Sequence, residues 1–348
     1  MNEHDQFMTR CLELAKNGLG SVYPNPMVGS VLVHKGLIIG EGWHQRAGGP
    51  HAEVRAIDSV KKKELLAEAT LYVNLEPCSH YGRTPPCADL IVTNGIKKVV
   101  IGSVDSNEKV GGKGVKRLRE NGVEVISSVM EKQSRELNKR FFTFHEKKRP
   151  YVILKWAQSK DGYIFPESEL TEKGTPYWIS NAYSLQRVHQ WRAEEASILV
   201  GKNTVLQDDP RLNLRDFEGN PILRITIDRH LKIPEAMNFF DQTSKTMIYN
   251  AIKNEQQSEL VYVKLDFQKE LIGQIMDHLY EIEVQSLIVE GGLLTLNSFI
   301  QSGFWDEARV IKGKQVFNKG IKAPVAEGSL VKEELIDDNL LQIYKRIL

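Results

Sequence analysis

The chain has 348 residues, 41% of them hydrophobic and 26% charged, with a formal net charge of +1. That length favours two domains over a single core, and the charge balance does not imply a broad basic nucleic-acid face, although local patches remain open. No apolar run is long enough to span a bilayer, the N-terminus MNEHDQFMTR does not read as a signal peptide, and only Cys11, Cys78 and Cys87 are cysteines, which points to a reducing, cytoplasmic setting without a disulfide framework.

In chain order, residues 3–17 predict an amphipathic helix with Phe7, Cys11, Leu14 and Ala15 on one face. Strands follow at 28–33 and 37–43 around a Lys-Gly turn, then a helix from Pro50-His51 and a strand at 70–75. Pro85-Pro86 open another helix, followed by strand 97–104, helix 114–121, strand 123–126 and one helical segment over 130–145. The charged stretch 146–150 ends in proline and marks a domain boundary, giving domains 1–146 and 150–348. The second half alternates again: strand 151–159, helix 181–195, strands 197–201, 221–228 and 246–249, helix 269–281, strand 286–290, helix 293–300 and strand 307–313. Residues 165–176 read as an exposed loop. Alternating strands and helices give an α/β layered fold in each half.

Two phrases carry chemistry in the first half, GPHAEVRAI (49–57) and LEPCSHYGRTPPCADL (75–90). His51, Cys78 and Cys87 offer one imidazole and two thiolates, a donor set suited to zinc with a fourth position open to water. His51 and Cys87 are both expected at helix starts, where the backbone dipole favours a thiolate. Glu53, two residues after His51, can reach the open position without being a ligand. Zinc lowers the pKa of its water, and Glu53 can move protons from water to ring nitrogen and to leaving ammonia. This His-x-Glu and Pro-Cys pattern is that of the zinc nucleobase deaminases. A closed structural zinc knuckle using His80 as fourth ligand is the competing reading, which Glu53 and the Pro-Cys context disfavour. Cys11 reads as plain core.

Asn25-Pro26-x-Val28-Gly29, Gly42-x-His44, Ala47-Gly48, His51-Ala52-Glu53 and PCSHYGRTPPC resemble the pyrimidine deaminases of riboflavin biosynthesis. Eight residues separate Cys78 from Cys87, where cytidine and tRNA-adenosine deaminases typically have two. The resemblance implies a cytidine-deaminase-like domain in which Asn25, His44, His80 and Arg83 contact the pyrimidine or its ribose phosphate. Taken singly, each of these also fits an ordinary loop or a satisfied histidine.

Phrases in the second half, among them LKWAQSKDG (154–162), QWRAEEASILVGKNTVLQDDPRLNLR (190–215), TIDR (226–229) and EGG (290–292), resemble the partner reductase of that bifunctional family. It implies a dihydrofolate-reductase-like domain with NADPH near Ala157, Trp178, Thr204, Asp208, Gly292, Leu293, Leu294, Thr295, Leu296, Asn297 and Ser298. It implies substrate contacts from Arg192, Leu212, Arg215 and Glu290. The glycines at 201 and 291–292 lie at strand-to-helix turns, where backbone N–H groups can approach phosphate, but such turns are also common simple connections. Lys155, Asp208 and Glu290 either assist reduction or only position ligands.

The expectation is therefore a zinc- and NADPH-dependent bifunctional enzyme. It deaminates 2,5-diamino-6-ribosylamino-4(3H)-pyrimidinone 5′-phosphate and then reduces the ribosyl group to ribityl. The resemblance also implies a cytoplasmic homodimer or tetramer that binds a phosphorylated pyrimidine and neither nucleic acid nor membrane. The rivals are a nucleic-acid base deaminase with an accessory domain and a non-catalytic zinc-stabilised module.

Overall fold

In the computed structural model, which describes residues 2–79, 81, 85–106, 111–167, 178–214, 217 and 219–347, a capping box opens the chain. The Asn2 side chain accepts from Asp5 N, and the Asp5 carboxylate accepts from Asn2 N, which starts α1 (Glu3–Lys16). The chain divides into two compact units, Met1–Lys148 and Arg149–Leu348.

The first unit is built on β1 (Gly29–His34), β2 (Leu37–Trp43), β3 (Thr70–Leu75), β4 (Lys98–Ser103) and β5 (Glu124–Ile126), in the order β2-β1-β3-β4-β5. β1 is antiparallel to β2 and β3, whereas β3, β4 and β5 are parallel. Successive side chains of a strand point to opposite faces, and the burial follows that rule. Val31, Val33, Tyr72 and Val100 pack against Phe7, Met8, Cys11 and Leu14 of α1. Leu32, Leu71, Val73, Val99 and Ile101 pack on the other face, against α2 (Ala52–Ser59), α3 (Cys87–Thr93) and α4 (Lys113–Glu120). The result is a three-layer sandwich with its sheet buried on both sides.

The segment expected as one helix over 130–145 is two, α5 (Glu131–Leu137) and α6 (Lys139–Lys147). The break falls at Asn138, whose buried amide is committed elsewhere: Oδ1 accepts from Met27 N and Nδ2 donates to Met27 O. Asn74, fully buried at the end of β3, accepts from Gly29 N and also donates to Met27 O. These two amides satisfy the backbone of the chain between Asn25 and β1.

In the second unit come β6 (Tyr151–Gln158), β7 (Tyr163–Pro166), α7 (Ala182–Glu194), β8 (Ser197–Gly201), α8 (Lys202–Asp208), β9 (Leu223–Ile227), β10 (Thr246–Asn250), β11 (Glu255–Gln257) and β12 (Leu260–Lys264). They are followed by α9 (Leu271–Glu281), β13 (Ser286–Glu290), α10 (Leu293–Ser302), β14 (Glu307–Lys312), β15 (Gly320–Lys322), β16 (Gly328–Ile336) and β17 (Asn339–Arg346). The main sheet runs β11-β12-β10-β9-β8-β13-β6-β14-β17-β16, parallel from β12 to β14. β17 pairs antiparallel with β14, and β16 with β17. One face carries Val152, Leu154, Trp156, Leu287 and Val289 against α9 and α10; the other carries Tyr151, Ile153, Ile198, Val200 and Ile288 against α7 and α8. Phe165 and Pro166, expected in a loop, end β7 and pair with β15; residues 168–176 of that expected loop lie outside the described residues.

Arg224 on β9 is fully buried, yet its guanidinium is satisfied by Asp241, Thr246 Oγ1, Ser244 O and Arg211 O. Through Arg211 it ties down the chain that leads into Leu212.

His278 on α9 meets Tyr249 Oη at 3.0 Å, and burial holds its pKa below the ordinary histidine value. Folded protein then binds the proton more weakly than unfolded chain does. Its contribution is complete above the unfolded pKa of about 6.5 and is lost as pH falls from there toward the folded value. We expect His278→Gln to flatten this part of the pH dependence, read as a smaller difference between urea midpoints at pH 7.5 and 5.5. An unchanged difference would remove His278 as its source.

Candidate active sites

The first site forms where β3 ends. Leu75 is followed by Glu76, Pro77 and Cys78; α2 begins beside it with His51 at its N-cap, and α3 begins with Cys87. His51 Nδ1 lies 3.2 Å from Cys87 Sγ and 3.5 Å from Cys78 Sγ, and the three donor atoms lie within 4.8 Å of one another. Zinc bond lengths of about 2.0 Å to nitrogen and about 2.3 Å to sulfur place tetrahedral donors roughly 3.5 Å apart, so the set fits that ion. Cys78 is drawn down to about 4, first by its hydrogen bond with Cys87 and then by His51, while Cys87 is pushed well up by its hydrogen bond with Cys78 and by burial.

Glu53, in the first turn of α2, is buried, and burial raises its pKa. A carboxyl so placed can hold a proton and give it up. His44 lies beside it in the chain's return from β2, its ring 5.6 Å from that of His51. Its Nδ1 faces Pro50 O at 3.1 Å, and a carbonyl only accepts, so Nδ1 carries the proton. Nε2 then accepts from Asn25 Nδ2 at 3.0 Å, and burial keeps the ring neutral. Asn25, His44, His51, Glu53, Cys78 and Cys87 thus gather at one end of the sheet. His80 and Arg83 lie outside the described residues.

The second site lies at the carboxyl ends of β6, β8 and β13, where ligands bind in open parallel sheets. Lys155 and Glu290 are register partners on adjacent strands, and Arg192 reaches them from α7. Glu290 Oε2 accepts from Arg192 at 3.0 Å and stands 3.7 Å from Lys155 Nζ. Burial alone would raise Glu290, but Arg192 and Lys155 outweigh it and hold the carboxylate below its ordinary range. Burial lowers Lys155, opposed by Glu290. His189, one turn before Arg192 on α7, also bears on Glu290; sequence patterning did not single it out, because its proximity depends on how α7 crosses the sheet.

The glycine turns sit next to this cluster. Gly291 has φ +122°, outside the range open to other residues, and Gly292 N donates to Thr204 Oγ1 at 3.1 Å. A Cβ on Gly201 would stand 2.4 Å from Thr295 Oγ1, so α8 and α10 begin in contact there. Thr204, Gly292 and Thr295 are therefore together, with exposed or half-exposed backbone at a helix start, a cradle that fits a dinucleotide phosphate. Ser298 and Leu294 are exposed, Leu293 and Asn297 are half-buried, and Leu296 belongs to the core. Trp178 is exposed, Ala157 packs against the core, and Leu212 is buried with φ +51°. Burial raises the Asp208 carboxyl at the end of α8. Arg215 lies outside the described residues.

Comparison with known proteins decides the family. Residues 1–103 match the cytidine and deoxycytidylate deaminase zinc-binding region, and residues 150–314 match the RibD C-terminal domain. The riboflavin biosynthesis protein RibD of Aquifex aeolicus is 40% identical over 324 residues, covering 90% of this chain and 88% of that protein. The chain belongs to the RibD family. The RibD of Escherichia coli is 31% identical over 99% of this chain and 89% of its own length. A solved Thermotoga maritima diaminohydroxyphosphoribosylaminopyrimidine deaminase/5-amino-6-(5-phosphoribosylamino)uracil reductase superposes with a TM-score of 0.89 at 36% identity, over 99% of both chains. RibD of Acinetobacter baumannii gives 0.90 at 29% identity over the same shares. This RibD-family chain is a bifunctional enzyme of riboflavin biosynthesis, a zinc deaminase joined to an NADPH-dependent reductase of dihydrofolate-reductase-like fold. Among the described residues no helix is long and apolar enough to cross a membrane.

Proposed function

We propose that the first unit deaminates 2,5-diamino-6-ribosylamino-4(3H)-pyrimidinone 5′-phosphate and that the second reduces the ribosyl group of the product to ribityl. The observation that carries the first assignment is Glu53 buried beside the His51, Cys78 and Cys87 donors. Zinc, when held there, supplies a water acidic enough to ionise near neutral pH. Glu53 accepts the water's proton, delivers it to the ring nitrogen and passes one to the departing ammonia. Neutral His44, locked by Pro50 O and Asn25, orients the pyrimidine edge together with Asn25. His80 and Arg83 complete the reading as contacts to the pyrimidine or the ribose phosphate.

In the second unit NADPH supplies the hydride, and the protein's part is orientation. The Leu293 N–H at the start of α10, with Gly292, Thr204, Thr295 and the exposed 292–298 helix face, holds the cofactor, together with Ala157, Trp178 and Asp208. Arg192, aimed by Glu290, and Arg215 bind the substrate phosphate as paired donors, while Leu212 packs on the substrate. Lys155, whose pKa burial lowers against the pull of Glu290, is the group placed to donate a proton to the sugar oxygen or hold it. The working assembly is proposed to be a cytoplasmic homo-oligomer, a dimer or tetramer; the cysteines are all free, and oxidation would destroy a thiolate metal site.

Purified zinc-loaded protein tests both assignments. Given the diaminopyrimidine substrate it should release ammonia without NADPH, and NADPH should be oxidised once the deaminated product is present. Ammonia release from RNA but not from the nucleotide precursor would transfer the first unit to the nucleic-acid deaminases, and no NADPH oxidation on the deaminated product would overturn the second assignment.

A further inference from the structure

Helix α4 carries none of the proposed ligands, yet it touches the segments of both cysteines. Glu76, two residues before Cys78, is 4% exposed and turns its carboxylate away from the site. Oε1 accepts from Val115 N at 2.9 Å, and Oε2 accepts from Gly112 N at 2.9 Å and Asp105 N at 3.2 Å. A buried carboxylate with three N–H donors is a fixed anchor. Gly114 completes the fit: a Cβ there would stand 2.0 Å from Pro77 O, so only glycine lets α4 lie against the peptide that leads into Cys78. One turn on, Arg117 NH1 donates to Ser79 O at 3.4 Å, just after Cys78. The same guanidinium grips Asp89 through both nitrogens, with NH2 2.7 Å from Oδ2. Asp89 lies two residues after Cys87 in α3. The two ligand segments are themselves joined by Ala88 N donating to Cys78 O and Cys87 N to Cys78 Sγ.

We infer that Glu76 and Arg117 are positioning residues which, through α4, hold Cys78 and Cys87 at zinc-binding separation and set the rate at which zinc is lost. The inference rests on the zinc reading above. Groups that orient metal ligands without touching the metal change affinity by roughly 10–100-fold when removed. Neither residue contacts the metal position, so their effect should fall on retention of the ion.

The test is zinc release from folded, zinc-loaded protein into an excess of chromophoric chelator, at a temperature where every variant is folded. Glu76→Gln keeps the side-chain shape but places an amide NH2 against an N–H donor. It should release zinc about tenfold faster or more. Arg117→Met should act in the same direction by a smaller factor, because Arg117 is half exposed. Met8→Ala, on the opposite face of the sheet, is the control for general loosening and should release zinc at the wild-type rate. Equal rates for wild type and Glu76→Gln overturn the inference, as does equally fast release from Met8→Ala. If Glu76→Gln fails to fold, Arg117→Met decides alone, and a wild-type rate there is again fatal. A wild-type protein that binds no zinc would instead remove the zinc reading itself.

Discussion

Glu53→Gln is expected to lower deamination by about 10²–10⁴-fold, the usual weight of a positioned proton carrier, while zinc content stays at the wild-type level. The amide preserves the volume of a residue packed inside α2, so the fold has no reason to change. It cannot accept and return a proton. Metal analysis and ammonia release on the same preparation read the two quantities separately, and reduction by the second unit serves as the internal control. If zinc is lost along with activity, Glu53 helps to hold the metal and is not only a proton carrier. If deamination survives, the proton carrier is another group.

Removing the charge of Glu290 should have the largest effect in the second unit. Glu290→Gln leaves Arg192 and Lys155 facing each other at a buried site without their counter-ion. Breaking a buried pair in this way costs about 3–5 kcal/mol. Part of that cost disappears if Lys155 gives up its proton, since Glu290 is the group that opposes the effect of burial on it. Reduction should fall by about 100-fold, because Arg192 loses the partner that aims it. Chemical denaturation followed through a probe in the second unit reads the first quantity and NADPH oxidation the second. Adding Lys155→Met to Glu290→Gln removes the stranded amine, so the double variant should be more stable than the two losses combined imply, by about 0.5–3 kcal/mol. Strict additivity would show that the three groups do not act as one cluster.

The parts of the molecule readable in advance are those fixed by local pattern. The α1 face of Phe7, Cys11 and Leu14, the hairpin of β1 and β2, and the strands at the carboxyl edges of both sheets have clear periods and turn residues. The ligand set was readable because His51, Cys78 and Cys87 lie in two short phrases with a characteristic order. What went unread depends on distant partners. The hairpin of β16 and β17 is studded with charges, and β16 is largely exposed, so no alternation marks it. The short β12 gains its stability from β10, and the three-residue β11 from β12. Asn138 looks like an ordinary helix residue until Met27, 111 positions away, claims its amide. Glu76 and Arg117 carry no motif of their own; their roles arise from the way α4 lies against Pro77 and α3.

The placement of β6 has a consequence for biosynthesis. This strand begins the second unit, yet its two neighbours in the sheet are β13 and β14. Roughly 130 residues separate it from β13, which at about 5–20 residues per second takes the ribosome on the order of ten seconds. For that interval the run Val152, Ile153, Leu154 has no strand to pair with on either side. The first unit, whose β1 meets β2 across a short turn, has no such wait. A nascent chain of this enzyme should therefore engage cellular chaperones through residues 151–156, and the second unit should be the slower of the two to acquire protease resistance during synthesis.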